Sequence, residues 1–549
     1  MSGIADAVVD RLVAAGVRRA YTVPGESFLP LLDACAAHPD ITLVSTRHES
    51  GAAFMAEADA KLTGGPALAM ATRGVGAANL SIGVHTAYQD STPMIVLLGQ
   101  VESEFLGREA FQEVDLPAFY GEITKWAATV PSADRFGEFL DRALHAATSG
   151  RPGPAMLAIP ADVLEADADR TPGWSPGVGH AGRPALDLET ARLIRTRVRQ
   201  ARAPVVIAGG GAQGARASLI AFAERFGTGV YAAFRRQDVV PNDHPHYCGH
   251  LALGSPPETL KALQEADLVI LAGSRLSEIT TQGYTLPAPD QAVIQIDIDP
   301  RSVGAVHHAE IGAVADAGAA LAALVDDAPG TPSDRDWAAA HDAYLASSTP
   351  TPHDDPPLHP AAVMAALVAE FPVSTIVTND AGNFSVFGHR YWRFTQPRTQ
   401  LGPTSGAMGY AVPAAVAAAL TDPDRPVLAL AGDGGFLMTG QEMETAVRHA
   451  LPMTVVVFRN GLYGTIALHQ ARSLGRTAGV DIGEVDIAAV ARGYGAQAWQ
   501  VTTSDELTAA LHQARTCGRP AVVDVLCDPD VLTPSARLSR LLPQPTPGR

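Results

Sequence analysis

The 549-residue sequence predicts an α/β protein built of three doubly wound parallel-sheet domains, and three observations carry that prediction. Short apolar runs alternate with Ala-rich helical stretches along almost the whole chain, the pattern of parallel sheets covered by helices. The length exceeds what one hydrophobic core accommodates. Two Pro-rich breaks, TPGWSPGVGHAGRP (171–184) and SSTPTPHDDPPLHP (347–360), divide the chain into thirds of ordinary domain size.

In the first third, strands are expected at 18–23, 41–46, 67–72, 94–99 and 155–159, each short, apolar and closed by Gly, Pro or a polar residue. The middle third restarts the pattern at 204–208, 229–234, 268–272 and 292–297. The last third places strands at 374–379, 426–431, 453–458 and 521–526. The resulting parsing is an N-terminal domain over 1–170, a linker over 171–187 and a central domain over 188–330. A second linker over 331–360, a C-terminal domain over 361–535 and a loosely packed tail over 536–549 complete it.

Hydrophobic residues make up 47% of the chain and charged residues 18%, as in well-buried globular domains. The formal charge of −18, from 40 basic and 58 acidic residues, argues against a nucleic-acid or anionic-membrane partner. An anionic ligand must then be held locally, by a metal, backbone N–H groups and helix N-termini. The segment MSGIADAVVDRLVAAGV reads as an amphipathic helix rather than a signal peptide, and no apolar run reaches the roughly 18 residues of a membrane span. Cys35, Cys248, Cys517 and Cys527 are scattered with no CxxC spacing, so free thiols in a reducing compartment are expected. A cytoplasmic location follows as the expectation.

The most informative segment runs from Pro426: PVLALAGDGGFLMTGQEMETAVRHALPMTVVVFRNGLYG. An apolar strand delivers Gly432-Asp433-Gly434-Gly435 at its C-terminal end, where open parallel sheets bind ligands. Glycines let backbone approach a phosphate, and the following helix aims its N-terminus at it. A helix over about 440–449 and a second strand then bring Asn460 to the end of a neighbouring strand. Asp433 and Asn460, 27 positions apart, can converge on one hard cation, for which carboxylate, amide and phosphate oxygens suit octahedral Mg²⁺. GDG by itself is an ordinary Gly-rich turn; the complete βαβ unit followed by RNGLYG is the specific feature.

Here the chain resembles the thiamine-diphosphate enzymes of the acetolactate synthase, benzoylformate decarboxylase and pyruvate oxidase superfamily. That family follows GDG, some 25–30 residues later, with an Asn usually preceded by another Asn. This sequence has Arg459 at the preceding position. The resemblance implies Mg²⁺ held by Asp433, Asn460 and the Leu462 carbonyl, with Gly432, Gly434, Gly435 and Gly464 beside the cofactor. It makes the C-terminal domain diphosphate-binding and the N-terminal domain pyrimidine-binding.

The family also predicts a glutamate that hydrogen-bonds the aminopyrimidine and promotes the tautomer that removes the C2 proton. Thr46-Arg47-His48-Glu49-Ser50-Gly51-Ala52-Ala53 is similar to its RHE-x-GA segment, which gives that role to Glu49. Thr404-Ser405-Gly406-Ala407-Met408-Gly409-Tyr410 resembles the stretch beneath the folded cofactor, implying that Met408 wedges between the rings and Gly406 binds the pyrimidine. Asn383, in the loop 379–384, is expected to touch the diphosphate. Gly74 and Val75, in TRGVGAAN, resemble the family's glycine loop near the substrate, with Val75 in place of the usual Pro. Phe111 and Gln112 match the AFQE stretch of acetolactate synthases and are candidates for lining the pocket, Gln112 with a catalytic role.

Gly209–Gly214 follows an apolar strand and satisfies G-x-G-x-x-G, but the ribose-binding acid expected about 20 residues on is missing. Acetolactate synthases bind FAD in this domain partly through an Arg-Phe-Asp-Asp-Arg segment, replaced here by Ser274-Arg275-Leu276-Ser277-Glu278. An empty cleft is therefore expected over bound FAD. The resemblance implies decarboxylation of a 2-oxo acid and transfer of the acyl-anion equivalent to a carbonyl acceptor. Simple decarboxylation and flavin-dependent oxidation are the alternatives. A homodimer or homotetramer with active sites between subunits is implied as well.

Overall fold

The computed structural model describes residues 3–166, 182–326, 336–351 and 357–543. Three six-stranded sheets, parallel throughout, follow one another along the chain. The first contains β1 (Arg19–Thr22), β2 (Thr42–Ser45), β3 (Ala67–Thr72), β4 (Met94–Gln100), β5 (Trp126–Thr129) and β6 (Pro154–Pro160). Its order is β2-β1-β3-β4-β6-β5. The second contains β7 (Pro204–Ala208), β8 (Gly229–Ala232), β9 (Tyr247–His250), β10 (Leu268–Ala272), β11 (Ala292–Asp297) and β12 (Ile311–Val314), ordered β12-β11-β10-β7-β8-β9. The third contains β13 (Ile376–Asn379), β14 (Gln400–Leu401), β15 (Val427–Gly432), β16 (Thr454–Arg459), β17 (Gln497–Val501) and β18 (Ala521–Leu526), ordered β14-β13-β15-β16-β18-β17.

Each sheet reverses its winding near its centre: between β1 and β3, between β7 and β10, and between β13 and β15. Ligands of open α/β sheets bind beyond the strand ends at such reversals. The residues Asn379–Asn383 and Gly432–Gly435 leave the third sheet on either side of its reversal, which makes that crevice the first place to look for a site.

The first and third domains join through two Ala-rich helices, Glu49–Thr63 and Ala411–Thr421, whose buried residues share one core cluster. Their small side chains let the backbones approach closely. Phe54 packs edge-on to Tyr410 at 5.5 Å between centroids, and the Tyr410 hydroxyl donates to Glu57 at 2.6 Å. The central domain braces both neighbours with arginines. Arg236 pairs with buried Asp90 at 2.9 Å, Arg235 donates to the carbonyls of Pro403 (2.6 Å) and Asp380 (3.1 Å), and Arg275 donates to the Gln89 carbonyl (2.6 Å).

Several expectations need correction. The segment 331–360 is not purely a linker, because it contains the helix Ala338–Ser347. Trp337 and Tyr344, seven positions apart, put two aromatic rings on one helical face, and both are buried against the central domain. Trp337 Nε1 donates to the Gly227 carbonyl at 2.8 Å and the Tyr344 hydroxyl to Asn242 at 3.3 Å. The tail residues 536–543 are folded too. Ala536–Arg537 pairs antiparallel with Val531–Thr533, and Leu538 and Leu541 pack on a small cluster with Leu468 and Leu532. Most of the linker over 171–187 lies outside the described residues. The strands β5, β9, β12, β14 and β17, absent from the sequence-based list, all lie at sheet edges. The four cysteines are free, and no described helix is long and apolar enough to cross a membrane.

Candidate active site

The strand β15 is buried along its whole length and ends at Gly432, where the chain turns into the short helix Asp433–Thr439. The neighbouring strand β16 ends at Arg459, so the loop Asn460–Tyr463 leaves the sheet beside Asp433. The Asp433 carboxylate ties the two ends together. One oxygen accepts the Gly434 N–H at 2.8 Å; the other accepts the N–H groups of Asn460 (3.1 Å) and Gly461 (2.7 Å). Burial pushes the Asp433 carboxyl above its usual range, and these three N–H groups oppose that shift.

The loop is folded onto itself by the same kind of contact. The Asn460 amide oxygen accepts the Leu462 N–H at 3.1 Å, and the Leu462 carbonyl accepts the Gly464 N–H at 2.8 Å, which opens the helix Gly464–Leu474. A Cβ at Gly464 would stand 3.6 Å from the Asn460 amide nitrogen and 3.8 Å from that of Asn383. Among the described residues the Asn383 amide nitrogen is buried without a partner, while its oxygen accepts from Thr465 at 3.0 Å. A buried orphan amide costs about 1–3 kcal/mol unless a ligand acceptor meets it. A cavity of about 180 Å³ opens beside this loop, lined by Asp433, Arg459, Asn460, Glu484 and Cys527 among others.

The segment carrying Gly406 and Met408 reaches the same place. Gly406 has φ +73°, which a glycine adopts without strain, and a Cβ at Gly434 would lie 3.3 Å from the Met408 methyl. The segment is fixed by Asp380, whose carboxylate accepts the Gly409 N–H at 2.8 Å and the Ala381 N–H at 2.7 Å. A Cβ at Gly435 would stand 2.2 Å from the same carboxylate. Asp380, Gly409 and the GDGG turn are therefore one packed unit.

In the N-terminal domain, Glu49 is the first residue of the helix Glu49–Thr63 and is buried. Its carboxylate accepts the Asn79 amide N–H at 2.9 Å. The helix Arg73–Asp90 separates Glu49 from the Phe111–Gln112 segment. Gly76 faces the Glu49 carboxylate, where a Cβ would stand 3.2 Å away, and the Gly74 N–H donates to the Gln112 carbonyl at 2.9 Å. Gln112 has φ +65° and a buried side-chain oxygen without a partner among the described residues. Val75 and Phe111 are 51% and 74% exposed.

The structure thus gathers Asn383, Met408, Gly432, Asp433, Gly434, Gly435, Asn460, Leu462 and Gly464 at the reversal of the third sheet, with Gly406 two residues before Met408 on the same segment. It gathers Glu49, Gly74 and Gln112 at the strand ends of the first. Asn79, Asp380 and Glu442, whose contacts hold these groups in place, carry no motif of their own. The signal for Asp380 was its position at the end of β13. Arg459, the departure from the family pattern, is anchored by its Nε, which donates to buried Asp524 at 2.9 Å. Among the described residues no cluster of three or more His, Cys, Asp or Glu side chains could hold a metal ion. A cation at Asp433 would draw on one carboxylate with amide and carbonyl oxygens, a hard donor set that suits Mg²⁺, and the Asn383 amide suits a diphosphate oxygen.

In the central domain, the Gly209 and Gly211 N–H groups donate to the carbonyls of Ala272 (2.9 Å) and Gly273 (3.1 Å). These two donors of the glycine-rich turn are engaged by the end of β10 and the residue after it.

Residues 3–119, 192–324 and 380–525 match the N-terminal TPP-binding, central and C-terminal TPP-binding domains of thiamine pyrophosphate enzymes. The chain is 31% identical to the probable acetolactate synthase large subunit of Methanocaldococcus jannaschii, over 98% of this chain and 95% of that protein. It is 32% identical to the acetolactate synthase large subunit of Corynebacterium glutamicum, over 92% and 83%. With the acetolactate synthase isozyme 1 large subunit of Escherichia coli it shares 31% identity over 90% and 88%. Three matched domains in family order, on three parallel α/β sheets, make this chain a member of the acetolactate synthase-like thiamine pyrophosphate enzymes.

Proposed function

We propose that the protein is a thiamine-diphosphate- and Mg²⁺-dependent carboligase, which removes CO₂ from a 2-oxo acid and joins the remaining acyl unit to a second carbonyl compound. The observation that carries it is the meeting of Asp433 with the Asn460–Leu462 loop beside the unpartnered Asn383 amide. The names of the relatives support carboligation over simple decarboxylation.

When bound, thiamine diphosphate supplies a carbon nucleophile and a sink for the electrons released with CO₂. Asp433, Asn460 and the Leu462 carbonyl hold the cation, and Asn383 with the backbone at Gly432, Gly434, Gly435 and Gly464 receives the diphosphate. Gly406 and Met408 support the rings. Glu49, held by Asn79, exchanges a proton with the pyrimidine nitrogen, and its burial keeps bulk water from competing for that bond. Gln112, whose buried amide oxygen has no partner among the described residues, presents it to the substrate between Gly74 and Phe111. The assembly is a homodimer or homotetramer with its sites between subunits.

The test is calorimetric titration with thiamine diphosphate and Mg²⁺, followed by incubation with a panel of 2-oxo acids and aldehydes and product identification by mass spectrometry. Asp433→Ala should weaken Mg²⁺-dependent cofactor binding by more than about 100-fold, beyond what loss of an outer-shell contact costs. Wild-type affinity in that variant would remove the metal assignment. Products lacking any new carbon–carbon bond would remove carboligation.

A further inference from the structure

Glu442, on the helix Glu442–Arg448 of the C-terminal domain, is wholly buried, and among the described residues its carboxylate forms no ion pair. A buried carboxyl is costly unless its oxygens are satisfied. These oxygens are given to another domain. One accepts the N–H groups of Arg47 and His48, each at 3.0 Å; the other accepts the Arg47 N–H at 3.2 Å and the Thr445 hydroxyl at 2.7 Å. Arg47 and His48 immediately precede Glu49, at the N-terminal end of the helix Glu49–Thr63, where backbone N–H groups lack partners within the helix.

The surroundings are shaped to this contact. A Cβ at Gly51 would stand 2.5 Å from the Glu442 carboxylate, so only glycine leaves room for it. Arg47 pairs with Glu444 at 3.2 Å, and Arg448 bonds the Ser45 carbonyl, so the same helix grips the segment at two more points. Glu49 is thereby held twice: its side chain by Asn79 within its own domain, its backbone by Glu442 from the other.

We propose that Glu442 is a positioning residue for Glu49, setting the direction of that carboxylate by hydrogen-bonding the two N–H groups before it. The proposal rests on the role given to Glu49 above. The Glu442 helix follows directly on the one that begins at Asp433, so, with sites between subunits, the element that holds one site's cation orients the glutamate of a second site. Gln at position 442 can still accept both N–H groups through its amide oxygen, whereas Ala accepts neither.

Two measurements on the full-length protein test this, with Glu442→Ala, Glu442→Gln and Glu49→Gln compared with the wild type. Hydrogen exchange of the peptide spanning 45–49 is followed in cofactor-free protein, and C2-proton exchange of bound thiamine diphosphate is followed by NMR after rapid quenching. In Glu442→Ala, peptide exchange should speed up and C2 exchange should slow by about tenfold or more, short of the roughly 100-fold that a 1 Å misplacement can cost, with cofactor affinity within about threefold. Glu442→Gln should restore most of both. Unchanged protection of the 45–49 peptide in Glu442→Ala overturns the contact; lost protection with wild-type C2 exchange overturns the positioning role. Should Glu442→Ala fail to fold, Gly51→Ala displaces the same carboxylate and is read by the same criteria. Wild-type C2 exchange in Glu49→Gln would instead refute the role of Glu49, a result that the peptide measurement leaves distinguishable.

Discussion

The turns Gly209–Gly211 after β7 and Gly432–Gly435 at the end of β15 look alike in sequence, each a glycine-rich stretch closing a buried parallel strand beside a sheet reversal. Their glycines answer different needs. In the central domain they let backbone meet backbone: a Cβ at Gly209 would stand 2.3 Å from the Gly273 carbonyl oxygen, and one at Gly211 would stand 2.8 Å from the Gly273 Cα. In the C-terminal domain the nearest neighbours are side chains: Asp380 at Gly435, and Tyr463 and Met408 at Gly434. There the turn closes on the Asp433 carboxylate. A glycine-rich turn therefore announces a close approach; what approaches is decided by the residues beyond it.

Gly209→Ala should produce the larger loss of stability. Neither the Gly273 carbonyl nor the strand beneath it can yield, so overpacking of about 3 kcal/mol is expected, read as a fall in denaturant midpoint. Cofactor affinity, measured well below the transition, should stay at the wild-type value. Gly435→Ala should cost less, about 1–2 kcal/mol, because the Asp380 side chain can rotate away. That rotation releases the Gly409 N–H and with it the Met408 segment, so thiamine diphosphate affinity should drop by about tenfold or more, as when a supporting partner is lost. An affinity loss in Gly209→Ala with none in Gly435→Ala would reverse the comparison.

The same distinction governs what could be read from the sequence. All the interior strands were legible, because a strand flanked on both sides and covered on both faces is a near-continuous apolar run. The edge strands β5, β9, β12, β14 and β17 were not. β12 (IGAV) and β17 (QAWQV) are largely half-buried or exposed, β14 has two residues, and β9 is interrupted by Gly249 at φ +130°. One-sided pairing imposes no comparable pattern. Asp433 and Asn460 were legible because one βαβ unit carries both. Asn79, Asp380 and Glu442 were not, because each acts through a partner 29 to 395 positions away, and only Asp380, at the end of β13, has a local position that marks it.

Asp380 offers the finest test of the C-terminal turn, since no carboxylate packs on the glycines of the central turn, where the nearest side chain is Arg236 at Gly210. Burial raises the Asp380 carboxyl from 3.8 to about 6 in the folded chain, against the N–H groups of Ala381, Gly409 and Tyr410 that favour its charged form. Between those two values the folded protein keeps a proton that the unfolded chain has released. The stability Asp380 contributes is thus complete below its unfolded value and is lost as pH rises through about 6. Asp380→Asn keeps an oxygen for the Gly409 N–H but removes the titration. The wild type's stability relative to this variant should therefore decline as pH rises from 3.8 to about 6, then level off, in thermal melts across that range. A wild type that instead gained stability over the same interval would mean that the nearby Arg235 and the backbone donors outweigh burial, holding Asp380 as an anion beneath Gly435.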